Sequence, residues 1–151
     1  LAVHGVIVGG AEEKKQDYLA ELHQLVARHN LADDITFTGL RNDIRDIFAV
    51  SDLVFSLSSK PESFGRTVLE ALRLGRPVIA WDKGGAGEIL ARLWPEGLIP
   101  DQDTDRLGSQ ARQLLLGDRR VPESNSFLLE TMCRETLAVY EDLASHPGKS
   151  S

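Results

Sequence analysis

The chain of 151 residues has the length of one ordinary domain, and its 42% hydrophobic and 26% charged residues are typical of globular proteins. Apolar residues recur throughout, which excludes disorder for most of the chain. The sequence contains no run of about 18 apolar residues, the length that could span a membrane. The net charge of −6 argues against a binder of duplex nucleic acid, and a single cysteine excludes an internal disulfide.

Short apolar runs alternate with helical stretches along the chain. The apolar runs predict five strands, at residues 3–8, 35–38, 53–57, 77–81 and 98–99. Apolar residues at helical spacing predict helices at residues 17–29, 66–74, 88–93, 105–116 and 126–143, with one or two helical turns at 44–48. Asn30 and Gly75 mark the ends of two of these helices, and Gly84, Gly85 and Gly87 predict a flexible loop before residue 88.

The end of the chain carries two further expectations. Cys133 lies between apolar neighbours in the last predicted helix, so we expect its side chain to be buried or half-buried. Residues 146–151 resemble a disordered tail, which leaves residues 1–145 for the domain.

The order of these elements predicts the fold class. Alternating strands and helices are typical of βαβ units, and the strands lack a strict polar alternation, as expected when helices cover both faces of a sheet. We therefore predict an α/β fold with a doubly wound parallel sheet. Ligands of such sheets bind beyond the carboxyl ends of the strands, so the loops after Val8, Thr38, Leu57 and Trp81 are the candidate binding segments.

The third of these loops has the features of an anion site. It is polar, and a helix is expected to begin near Ser63, whose first turn would present free N–H groups and a partial positive charge. Gly65 would let a ligand approach the backbone closely. A diphosphate fits such a site.

Two glutamates frame this segment, and each has two interpretations. Carboxylates accept hydrogen bonds from paired hydroxyls, so Glu62 and Glu70 could each hold a sugar ring. Glu62 could instead stabilise the start of the helix, where acidic residues are favoured. Glu70 could be a surface residue paired with Arg66 or Arg73.

A series of motifs then points to a known family. In chain order they are residues 6–10 (VIVGG), 35–39 (ITFTG), 51–56 (SDLVFS), 61–65 (PESFG), 69–72 (LEAL), 75–80 (GRPVIA) and 84–89 (GGAGEI), with Tyr140 and Glu141 in the closing helix. Seven residues separate Glu62 from Glu70. The ordered series resembles the C-terminal, donor-binding domain of retaining glycosyltransferases with the GT-B fold, the glycosyl transferases group 1 family, over nearly the whole chain.

The resemblance implies a role for each matching position. Glu62 would be the catalytic-site residue that contacts hydroxyls of the donor sugar, and Glu70 would bind the nucleotide ribose. Donor sugar and phosphate would be bound by backbone N–H groups of Ser63, Phe64 and Gly65, and the base pocket would be lined by Gly39, Leu40 and Arg41. Arg66 would either assist at the phosphates or form an ion pair with Glu70.

The resemblance also implies the reaction. A hexose would pass from a UDP- or GDP-sugar to a glycan or lipid-linked acceptor of the cell-surface polysaccharide or lipopolysaccharide type, without a metal or other cofactor. It further implies a bacterial source and a cytoplasmic location, either free or peripheral at the inner face of the membrane. No nucleic-acid partner is expected.

The start of the sequence predicts an incomplete domain. The first residue, Leu1, is not Met and lies against a predicted strand, and the family's first βα unit, with the arginine and lysine that neutralise the diphosphate, has no counterpart here. We therefore expect a fragment that also lacks the N-terminal acceptor-binding domain, binds donor weakly and does not turn over. The strands at residues 3–8 and 53–57 would lack the strand between them. Local rearrangement, a strand exchanged with a second copy, or residues outside this sequence would then fill the gap.

Two rival functions remain open. A sugar-nucleotide epimerase could share the fold, although not residues 61–72 in this form. A non-catalytic nucleotide-binding module could share both the fold and the site.

Overall fold

Strands and helices alternate in the computed structural model, which describes residues 1–10, 16–117, 120–121 and 129–145. The strands are β1 Gly5–Val8, β2 Ile35–Gly39, β3 Val54–Ser56, β4 Val78–Trp81 and β5 Leu98–Ile99. The helices are α1 Gln16–Arg28, α2 Ile44–Val50, α3 Arg66–Arg73, α4 Gly84–Leu93, α5 Thr104–Leu116 and α6 Leu129–Ser145, with a short 3₁₀ turn at Pro95–Gly97. All strand pairs are parallel, so the predicted α/β class is confirmed.

The chain divides into two compact units, residues 1–47 and residues 48–151. In the first unit β1 pairs with β2. Helix α1 ends where predicted, because Asn30 adopts the left-handed conformation (φ 55°). The amide of Asn30 donates to Ala27 O, and the amide of Leu31 donates to Val26 O, which together form a Schellman motif.

The second unit contains a three-stranded sheet in the order β3-β4-β5 and most of the buried apolar side chains. All four residues of the central strand β4 are buried. Helices α3 and α4 contact this strand. The largest fully buried side chains of the unit are Ile79, Leu90, Ile99, Val68 and Val78. Two-sided burial explains why this strand is a continuous apolar run without polar alternation.

Among the described residues the strands form two sheets, and β1 and β3 do not pair with each other. That these two strands lack a common neighbour stays a prediction, as do the limits of the domain. The start of the last predicted helix, residues 126–128, and the predicted tail, residues 146–151, lie outside the described residues.

Two expectations about helices were wrong. Gly84, Gly85 and Gly87 belong to helix α4 and not to a flexible loop before it. Cys133, on α6, is exposed and neither buried nor half-buried. In the described part of the chain, no helix is long and apolar enough to cross a membrane.

Candidate functional site

The carboxyl ends of β3, β4 and β5 lie at one edge of the second unit's sheet, because the three strands are parallel. The segment between β3 and α3, residues 57–65, contains Glu62 and is called the glutamate loop below. A shallow pocket, open to solvent, lies at this edge. It is lined by Ser56, Ser58, Lys60, Glu62, Trp81, Lys83 and Ala86.

Helix α4 contacts the second half of the glutamate loop backbone to backbone. The amide of Gly85 donates to Glu62 O at 2.7 Å. A Cβ atom added to Gly85 would lie 2.7 Å from the carbonyl carbon of Phe64 and 2.8 Å from Ser63 O. One added to Gly84, which has a φ of 55°, would lie 2.7 Å from Glu62 O. Only glycine fits at these two positions, since such separations are well inside van der Waals contact.

This contact explains why the predicted start of α4 was wrong. Glycine costs about 1 kcal/mol relative to alanine in a helix, so a glycine cluster predicts a loop. Here the cost is offset by close packing of the first turn against the glutamate loop. Sequence reasoning placed Gly84 and Gly85 in a motif but missed their function of positioning Glu62. The signal that could have found it is their location directly after a buried strand.

Gly65 also decides the start of α3, for which apolar spacing predicted residue 66 and the polar loop predicted a position near Ser63. The φ of 59° and ψ of 33° at Gly65 are left-handed, so the helix begins at Arg66 and not near Ser63. A Cβ at Gly65 would lie 2.8 Å from Ala86 N, which again requires glycine. Ser63, Phe64 and Gly65 therefore form a turn that precedes the helix.

The amides of this turn are unpartnered. Among the described residues, no hydrogen bond uses the backbone N–H of Ser63, Phe64 or Gly65. Phe64 is 78% exposed, Ser63 is exposed and Glu62 is half-buried. The unpartnered N–H groups of the exposed Ser63 and Phe64 can donate to an anion or to sugar oxygens, whereas Gly65 is buried against helix α4. That a ligand binds here stays a prediction, which the sequence based on a helix terminus.

Glu70 and Arg66 lie on the exposed face of α3. The Arg66 guanidinium is 3.4 Å from Glu70 Oε1, and the two side chains are 81% and 45% exposed. The surface ion pair that the sequence allowed is therefore present. Such pairs contribute little to stability, so Glu70 can exchange this partner for a ligand hydroxyl at small cost.

Gly39, Leu40 and Arg41 belong to the first unit. Gly39 has a φ of 66°, and its carbonyl accepts a hydrogen bond of 3.0 Å from the amide of Gly9. Leu40 is 82% exposed. Arg41 Nε donates to Asp43 Oδ1 at 2.8 Å, and this hydrogen bond is the main reason that the pKa of Asp43 lies below its ordinary value.

No group of three histidine, cysteine, aspartate or glutamate side chains could hold a metal ion within residues 1–10, 16–117, 120–121 and 129–145. The structure therefore brings together Glu62, Ser63, Phe64, Gly65, Arg66 and Glu70 on one loop and the helix that follows it. The predicted base-pocket residues form a separate group in the other unit.

The glycine turns, the parallel strands and the glutamate pair agree with a match to the family model of the glycosyl transferases group 1 over residues 2–126. The chain belongs to this family, and the resemblance seen in the motifs is confirmed.

Among its relatives is the lipopolysaccharide core biosynthesis mannosyltransferase LpsB of Rhizobium meliloti, which is 32% identical over 91% of this chain and 42% of LpsB. Solved structures of HepE from Anabaena are also similar. The complex with UDP has a TM-score of 0.78 at 29% identity, covering 93% of this chain and 41% of HepE. The complex with UDP-glucose has a TM-score of 0.65 at 30% identity, covering 91% of this chain and 41% of HepE. The chain thus spans about two fifths of the length of these relatives.

Proposed function

We propose that the chain is the donor-binding domain of a retaining glycosyltransferase that transfers a hexose from a UDP- or GDP-sugar. The acceptor is a glycan or a lipid-linked sugar of the cell-surface polysaccharide type, bound by a further domain of the complete enzyme. The observation that carries the proposal is the row of unpartnered amides at the exposed Ser63 and Phe64, which directly follow the half-buried Glu62.

The chemistry of this row suits a sugar diphosphate. Backbone N–H groups donate to phosphate and sugar oxygens, and they do so without the entropy loss of long side chains because the turn is already fixed by Gly84 and Gly85. The Glu62 carboxylate accepts hydrogen bonds from sugar hydroxyls. These donors also stabilise charge that develops on the leaving diphosphate, which is the main electrostatic task of the transfer.

Glu70 is assigned to the nucleotide ribose. Its carboxylate is exposed and is engaged only with Arg66 in the described part of the chain, so the ribose hydroxyls compete against a weak ion pair. Arg66, once released, lies one turn from Glu70 and can approach a phosphate. The HepE complexes with UDP and UDP-glucose support a nucleotide-sugar ligand, and the similarity to LpsB, a mannosyltransferase, supports transfer of a hexose.

Calorimetric titration of the chain with UDP, GDP, UDP-glucose and GDP-mannose tests the proposal. We expect weak binding of either the two uridine compounds or the two guanosine compounds. Glu70→Ala should lower the affinity for that nucleoside diphosphate about 10-fold, the effect of losing charge-assisted hydrogen bonds to the ribose. Glu135→Ala, which removes an exposed helical glutamate of α6, is the matched control and should leave the affinity unchanged.

Equal affinity of the wild type and the Glu70→Ala variant would contradict the assignment of Glu70. An enzyme that joins this chain to its acceptor-binding domain should transfer the sugar to an acceptor. Formation of an epimerised nucleotide sugar instead would support an epimerase, and binding without either reaction would support a non-catalytic module.

A further inference from the structure

Lys83 connects the segments that follow all three strands of the second sheet. It lies directly after β4 and Asp82, and its Nζ atom donates to Ser59 O in the glutamate loop at 3.1 Å. The same Nζ atom is 2.6 Å from Asp101 Oδ1, two residues beyond β5. One ammonium group thus bridges the carboxyl ends of β3, β4 and β5.

The bridge is partly shielded from water. The Lys83 side chain is only 18% exposed, and it lines the same pocket as Glu62 and Lys60. Charge-assisted hydrogen bonds in such a site are stronger than neutral ones. The pairing with Asp101 offsets part of the cost of removing the lysine from water.

The two halves of the glutamate loop are held by different contacts. Its second half is fixed by Gly84 and Gly85 against Glu62. In its first half, the Ser58 hydroxyl donates to Lys60 O at 2.9 Å, which folds residues 58–60 into a local turn. Lys83 is the contact that anchors this turn to the strand ends, through Ser59 O.

We propose that Lys83, held by Asp101, is a positioning residue that sets the glutamate loop so that Glu62 faces the donor sugar. The inference rests on the proposed function, because the sugar is the ligand of Glu62. Lys83 lies next to Gly84 and Gly85, so the short segment from Lys83 to Gly85 contacts both halves of the glutamate loop. A lysine that stabilised only the fold would affect the binding of UDP and UDP-glucose equally.

The test uses the full chain with Lys83→Met, which retains the length of the side chain but not its charge. The ligands are UDP and UDP-glucose, or GDP and GDP-mannose in their place if the wild-type chain binds the guanosine compounds. The ratio of the dissociation constant of the nucleoside diphosphate to that of its sugar derivative measures the contribution of the sugar. We expect Lys83→Met to lower the affinity for UDP-glucose about 10-fold and that for UDP less than about 2-fold. Lys83→Arg should restore part of the ratio because it keeps the charge. A ratio unchanged in Lys83→Met would overturn the proposal.

Hydrogen exchange tests the same contact without a ligand. The amide of Gly85 donates to Glu62 O, so its exchange rate reports how firmly the loop is held. In Lys83→Met we expect this exchange to accelerate about 10-fold while that of Gly75, at the end of α3, stays unchanged. Unchanged exchange at Gly85 would show that Lys83 does not set the position of Glu62, which would overturn the proposal.

The two failures can be told apart. If the wild-type chain binds neither UDP-sugar nor GDP-sugar, the proposed function fails, and the exchange of Gly85 still decides whether Lys83 holds the loop. If Lys83→Met does not fold, Asp101→Asn serves in its place, since the carboxylate is 41% exposed and Lys83 stays present. Asp101→Asn should change the ratio of dissociation constants and the exchange rate of Gly85 in the same direction as Lys83→Met does. If neither quantity changes, the proposal is overturned.

Discussion

The amide of Gly85 donates to the carbonyl of Glu62 at 2.7 Å, so the first turn of helix α4 holds the loop that presents the candidate sugar-binding carboxylate. The approach is so close that a side chain at Gly85 would collide with the backbone at Ser63 and Phe64. Because the obstacle is backbone and not a flexible side chain, it cannot move without displacing the loop. The position of Glu62 therefore depends on a residue with no side chain.

Gly85→Ala should destabilise the protein. A glycine-to-alanine change inside a helix ordinarily stabilises by about 0.5–1 kcal/mol, but the overpacking at Gly85 should outweigh this and cost about 1–3 kcal/mol. Urea denaturation measures the free energy of unfolding. Gly108→Ala in α5 is the control, because a Cβ there meets nothing within 4 Å and should be stabilising. Equal effects of the two substitutions would contradict the close packing.

Glu62→Gln should act on the sugar part of the donor. The amide retains the shape of the carboxylate but is a weaker acceptor for hydroxyl groups. We expect the affinity for UDP-glucose to fall about 10-fold, with UDP affected little, as measured by calorimetry. An equal loss for both ligands would indicate that Glu62 acts on the nucleotide or the fold and not on the sugar.

Leu40→Ser tests the predicted base pocket. Leu40 is 82% exposed, so the substitution should leave stability nearly unchanged while removing apolar contact with a base. A loss of about 3- to 10-fold in affinity for UDP is expected. Val50→Ser is the matched control, because Val50 is an apolar side chain with 83% exposure that has no predicted ligand contact. The same affinity for UDP in both variants would show that Leu40 does not contact the base.

The Arg41–Asp43 pair predicts a pH effect with a definite sign. The hydrogen bond from Arg41 lowers the pKa of Asp43, so the ionised carboxylate is favoured in the folded state. Its contribution to stability is present above the ordinary pKa of aspartate and is lost as the pH falls through the lowered value. In Arg41→Gln the pKa of Asp43 should rise toward the ordinary value, as followed by NMR of the carboxyl carbon. An unchanged pKa would show that another group sets it.

A good part of the fold follows from local patterns. The central strand β4 and helix α5 lie where apolar spacing predicts them, because the order of residues alone shows which run or face is apolar and will be buried. Gly75 ends α3 as predicted, with a φ of 70°, because a left-handed residue stops a helix wherever it occurs. The motif that contains Glu62 and Glu70 is likewise recognisable from residue types and their spacing, and the family match confirms the resemblance on which it rests.

By itself, the sequence determined the α/β class, the order of elements and the family, because these depend on residue types and their spacing. Only the tertiary structure decided that helix α4 begins at Gly84 and that a left-handed turn at Gly65 precedes α3, since both features are set by one backbone packing against another. The bridge from Lys83 to Ser59 and Asp101 also appears only after folding. The physical reason is that contacts between segments distant in sequence leave no periodic pattern in the chain.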